Sequence, residues 1–108
     1  MEKSNREVIF SRFFRITLLS ILHYIAEESS QNAEKFSVDL QTFLEEIGKY
    51  PDIYKEFNPW ASKSKLYRYR IFKKNYLVIF KVTKLKLLFV RIEYAKRNPD
   101  YYKSLKKK

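Results

Sequence analysis

From Tyr67 to Arg97 the chain reads YRYRIFKKNYLVIFKVTKLKLLFVRIEYAKR: Tyr67–Phe72 alternates aromatic and basic residues, Tyr76–Val82 is β-branched and aromatic, and Leu87–Tyr94 is the same with charges at alternate positions. A period of two is the mark of a half-buried strand. Three strands are predicted, Tyr67–Phe72, Tyr76–Val82 and Leu87–Tyr94. Their connectors, Lys73-Lys74-Asn75 and Thr83-Lys84-Leu85-Lys86, are short and polar, which suits antiparallel hairpins. Parity then sorts the faces. It assigns Tyr67, Tyr69, Ile71, Tyr76, Val78, Phe80, Val82, Leu88, Val90, Ile92 and Tyr94 to one almost wholly apolar face. It leaves Arg68, Arg70, Lys81, Arg91 and Glu93 on the other, with Leu77, Ile79, Leu87 and Phe89 between them.

Upstream the period changes. Glu7–Phe10 reads as a short first strand at the sheet edge, and from Arg12 the apolar residues Phe14, Leu18, Ile21, Leu22 and Ile25 recur at helical spacing. Ser11 is placed to cap that helix. A second helix is expected to open near Asn32, capped by Asn32 or Gln31, with Phe36, Leu40, Phe43, Leu44 and Ile47 as its apolar stripe. Gly48 falls near its C-terminus and Pro51 closes it. The residues 50–65 are irregular, with Trp60 as their anchor to the core edge. Asn98-Pro99 is a stop signal, and residues 103–108 are expected to be a mobile, Lys-rich tail behind a single domain of residues 1–102.

Two amphipathic helices and one apolar sheet face satisfy each other's need for burial. The predicted fold is therefore α+β, in the order β-α-α-β-β-β. A twisted antiparallel meander, with the first strand added at its edge, is covered on one face by an α-helical hairpin.

Composition narrows the chemistry. There is no cysteine and one histidine, His23, so disulfides and thiolate sites are excluded and no metal site or cofactor is expected. The single glycine rules out a Gly-rich phosphate loop. No apolar run approaches the ~20 residues of a membrane span, and Val8-Ile9-Phe10 is too short for a signal peptide. A cytoplasmic protein that does not engage membrane is expected. The charge is lopsided: residues 1–60 carry seven Lys/Arg against ten Asp/Glu, whereas residues 61–108 carry sixteen against two. So basic a C-terminal half attracts nucleic acid or an acidic protein segment. Arg68, Arg70, Lys81, Arg91 and Arg97 are the expected contact set, forming one positive surface opposite the helices, with Tyr94, Tyr101 and Tyr102 nearby in sequence. Such groups neutralise phosphates and stack on bases, and Lys, Arg and Tyr can in principle cleave RNA without a metal.

The ordered segments Tyr24-Ile25-Ala26-Glu27, Ala33-Glu34-Lys35-Phe36, Ile47 through Pro51, Tyr69-Arg70-Ile71-Phe72, Asn75 through Val82 and Lys96-Arg97-Asn98-Pro99 resemble the RelE/ParE toxins of type II toxin–antitoxin systems. The resemblance covers roughly residues 7 to 99 and implies the same β-α-α-β-β-β fold. It implies a small antitoxin as partner and growth inhibition as outcome. RelE-like members are ribosome-dependent mRNA endoribonucleases that need no metal; ParE-like members inhibit DNA gyrase. In the first case Arg68, Arg70, Arg97, Tyr101 and Tyr102 are the matching catalytic candidates. The third strand departs from that pattern, with Leu77 where the nuclease members have an Arg. The long helical hairpin is closer to ParE, so the resemblance favours gyrase over the ribosome.

Overall fold

A computed structural model describes residues 5–61, 63, 65–95 and 99–103. The first strand, β1 (Glu7–Phe10), leads through Ser11 into α1 (Arg12–Glu28). The Ser11 hydroxyl accepts from the Phe14 amide at 3.0 Å and donates to the Val90 carbonyl at 2.7 Å, so one side chain caps the helix and pins it to the sheet. The second helix, α2 (Ser30–Lys49), begins earlier than its sequence suggests. Its cap is Ser29, which accepts from the Asn32 amide at 3.1 Å, not Asn32 or Gln31. Ser29 alone separates the helices. Its extended backbone turns the chain, and its amide donates to the Ile25 carbonyl at the end of α1. Gly48 lies within the last turn of α2, and the helix stops at Lys49 before Pro51.

The connecting residues fold into two short 3-10 turns, Pro51–Ile53 and Asn58–Trp60. Then come β2 (Tyr67–Phe72), β3 (Tyr76–Val82) and β4 (Lys86–Tyr94), and a last short helix, α3 (Pro99–Lys103). The sheet order is β1-β4-β3-β2, antiparallel except for β1, which runs parallel to β4. The predicted fold class is thus the observed one. Of the expected tail, Lys103 closes α3, and residues 104–108 lie outside the described residues.

The predicted helical stripes are the ones that are buried. Phe14 and Ile21 of α1, and Phe36, Leu40, Phe43 and Ile47 of α2, pack on Val78, Phe80 and Ile92, with Leu18, Leu22, Ile25 and Leu44 half-buried beside them. Tilted and edge-to-face aromatic contacts knit this layer: Phe36 lies 5.3 Å from Phe72 and 5.0 Å from Tyr76, and Phe43 lies 4.8 Å from Phe72.

The strand faces differ from the parity reading at two places, each with a definite cause. Phe72 pairs directly with Tyr76 across a three-residue connector. Directly opposed residues share a face, so Arg68, Arg70 and Phe72 stand with Phe80, Val78 and Tyr76 on the helix side. Tyr67 and Tyr69 stand on the far side. In β4, Phe80 pairs with Phe89 but Ile79 pairs with Arg91, so a bulge at Val90-Arg91 inserts one residue. Before the bulge Leu87 and Phe89 face the helices and Leu88 and Val90 face away; after it Ile92 faces the helices. Both faces of the sheet are covered. On the far side Phe57, Trp60, Tyr67, Leu77, Ile79, Val90 and Tyr102 form a second core beneath the Asn58–Trp60 turn and α3. The unbroken buried run Leu77-Val78-Ile79-Phe80 is what a strand packed on both faces requires.

Candidate functional site

Among the described residues the expected basic surface is not assembled. Arg68 and Arg70 lie on the helix side of the sheet, not opposite it. The Arg68 guanidinium donates from Nη1 to the Tyr54 carbonyl at 2.7 Å, while its buried Nε meets no hydrogen-bond partner among the described residues. Arg70 lies over the Phe43 ring at 4.5 Å and the Tyr54 ring at 5.4 Å, and its Nη1 comes within 3.6 Å of Glu46. Both arginines thus cover the open end of the core between α2 and the Pro51–Ile53 turn, using their apolar stems as well as their charge. Lys81 is on the far face, its Nζ 5.7 Å from the centre of the Tyr67 ring. Arg91 is buried, paired with Glu93 at 2.8 Å. Arg97 lies outside the described residues.

The tyrosine candidates separate as well. Tyr102 is buried in the far-side core, and its carbonyl accepts the Trp60 indole N–H at 2.6 Å. Tyr101 is half-buried, its ring 5.2 Å from that of Tyr102. Leu77 is buried with Ile79 and Val90 on the far side of the sheet, the face opposite the arginines of β2. Among the described residues no group of three or more His, Cys, Asp or Glu is arranged to hold a metal ion. Among these residues, too, no helix is long and apolar enough to cross a membrane.

The parity reading did not foresee a groove of about 700 Å³ on the opposite flank. It runs between β1 and the helical hairpin. Its floor is Phe10, Phe14, Leu18, Leu40, Leu44 and Phe89, and its rim carries Arg6, Arg15, Lys49 and Glu45. The floor is aromatic at one end, where Phe10 stacks on Phe89 at 5.2 Å and tilts against Phe14 at 5.4 Å. At the rim, Arg6 is fixed by Asp52 at 3.0 Å and donates to the Thr83 carbonyl at 2.6 Å. The sequence held a clue to this groove. The stripes of α1 and α2 are wider than a four-residue strand can cover, so Leu18 and Leu44 keep part of their surface open.

The comparisons with known proteins agree with this architecture. Residues 8–99 match the family model described as the ParE toxin of type II toxin–antitoxin system, parDE. No curated protein matches the sequence at a significant level. Among solved structures, one described as a chromosomal ParDE TA system from P. aeruginosa superposes with a TM-score of 0.67 at 15% identity. That match covers 84% of this chain and 97% of the other.

Proposed function

Since the chain belongs to the ParE toxin family of type II toxin–antitoxin systems, we propose that it arrests growth by inhibiting DNA gyrase rather than by cutting mRNA on the ribosome. The observation that carries this reading is the engagement of the nuclease candidates. Metal-free RNA cleavage needs a base, an acid and free cations converging on one phosphate. Here Arg68 and Arg70 are spent on Tyr54, Phe43 and Glu46, and Tyr102 is buried on the other side of the sheet. An inhibitor that works by occupying a protein surface requires no such convergence.

The groove between β1 and the helical hairpin is the seat proposed for the antitoxin. Its apolar floor fits the stripe of an amphipathic segment, and Arg15 and Lys49, against the single carboxylate of Glu45 at the rim, favour one that is acidic. Inducing the chain alone, then assaying purified gyrase for supercoiling and cellular mRNA by primer extension, tests the activity. Loss of supercoiling with intact transcripts is expected. Ribosome-dependent cleavage with unaffected supercoiling would overturn the reading. For the groove, Leu44→Glu is expected to leave toxicity in place and abolish rescue by the co-expressed antitoxin.

A further inference from the structure

On the other flank of α1 lies a second cavity, of about 360 Å³, between that helix and the end of β4. It exists because β1 pairs only as far as Phe89, while β4 runs on to Tyr94. Phe13, Thr17, Ser20 and Tyr24 line one wall, and Arg91 and Glu93 line another. Arg91 is 4% exposed. Its guanidinium is stacked on Phe13, 4.0 Å from the ring centre, and its Nε donates to Glu93 Oε2 at 2.8 Å. Among the described residues neither Nη meets an acceptor, so the end of the planar fork is uncommitted.

A buried ion pair is a poor device for stability. Its desolvation cost rivals its attraction, and apolar residues of similar volume do as well or better. A buried arginine held rigid by a stacked ring and one carboxylate, with two donors left over beside a cavity, has the form of a recognition site. We propose that this cavity is a socket for the carboxylate of an Asp or Glu side chain on a protein partner, held end-on by the two Nη groups of Arg91. Glu93 selects the ligand's charge. Its carboxylate, held beside Arg91, repels a doubly charged phosphate more strongly than a singly charged planar carboxylate. The hydroxyls of Thr17, Ser20 and Tyr24 supply further hydrogen bonds at the wall.

NMR titration of the whole chain tests the socket independently of toxicity, so its failure would leave the gyrase reading standing. The probe is N-acetyl-glutamate N-methylamide, compared with the corresponding glutamine amide and with inorganic phosphate. A saturable shift of the Arg91 side-chain signal is expected with the carboxylate alone. Glu93→Gln removes the competing charge and should tighten carboxylate binding about tenfold. Arg91→Lys keeps the charge but loses the fork and should weaken binding at least as much. Should Arg91→Lys fail to fold, the Glu93→Gln comparison decides. An equal response to the glutamine amide, stronger binding of phosphate, or unchanged affinity in Glu93→Gln overturns the proposal.

Discussion

The indole N–H of Trp60 donates to the carbonyl of Tyr102 at 2.6 Å, a buried hydrogen bond between residues 42 apart in sequence. Trp60 also meets the Tyr67 ring edge-on at 5.2 Å, so it joins the irregular connector, β2 and α3 at one point. Trp60→Phe keeps an aromatic ring but removes this buried hydrogen bond, at a cost of about 1–3 kcal/mol. Urea unfolding should show that loss, and hydrogen exchange should show α3 losing protection before the rest of the domain.

Arg70 offers a test of whether the β2 arginines serve as cover. Its ion pair with Glu46 is half-exposed and contributes at most about 1 kcal/mol. Its stem and guanidinium on Phe43 contribute packing besides. Arg70→Ala should therefore destabilise by roughly 1–2 kcal/mol, and Arg70→Met should recover much of the loss. Were Arg70 a solvated surface charge, both variants would match the parent in chemical denaturation.

The β2–β3 turn carries strain that glycine would relieve. Lys73 and Lys74 have φ of 49° and 65°, in the left-handed region that costs a side chain with a Cβ. Lys73 is kept by its contact with Asp39 at 2.7 Å; Lys74 has no such tie among the described residues. Lys74→Gly should stabilise by about 1 kcal/mol, read as a higher urea midpoint with an unchanged slope. An unchanged or lowered midpoint would show that the turn is not strained at this position.

Stability should fall at both ends of the pH range for different reasons. The hydrogen bond from Lys73 holds the Asp39 carboxyl below its ordinary pKa. A group depressed on folding stabilises above its unfolded pKa and ceases to as pH falls through the folded one. Burial raises the phenols of Tyr67 and Tyr76, the latter aided by Tyr94. Their stabilising effect is complete below the unfolded tyrosine pKa of about 10 and is lost as pH rises through the raised values. Carboxyl-detected NMR should place Asp39 low in the parent and higher in Lys73→Met. The alkaline limb of the stability profile should shift toward lower loss in Tyr76→Phe, and stay in place in Lys73→Met.

Much of the fold was legible because period reports burial directly. The stripes of α1 and α2, the Ser11 cap, the three hairpin strands and the anchoring Trp60 all follow from local spacing. What local spacing misses is a count made across a turn. Three residues between Phe72 and Tyr76 set the register that turns Arg68 and Arg70 inward, and one extra residue at Val90-Arg91 reverses the alternation of β4 midway. The odd length of the first connector was visible in the sequence; the bulge was not, since it depends on pairing. The Ser29 cap was obscured because Asn32 is an equally good capping residue, but a one-residue link leaves it no room to serve. The contact surfaces were least legible, because a cationic side chain over a ring and one facing solvent are written with the same letter.

The parallel pairing of β1 with β4 also decides the order in which the molecule can be completed. Glu7 bonds to Leu85 and Ser11 to Phe89 and Val90, so the earliest residues of the described chain have their partners almost at its far end. Closing so long a loop is entropically slow to arrange, and these contacts reward it only once β3 and β4 have already paired. Until Phe89 has been synthesised, β1 has no strand to join, and the aromatic floor of the groove, Phe10 on Phe89, does not exist. Until then the apolar stripes of α1 and α2 have no sheet to cover them. The seat proposed for the antitoxin is finished only with the last strand of the sheet.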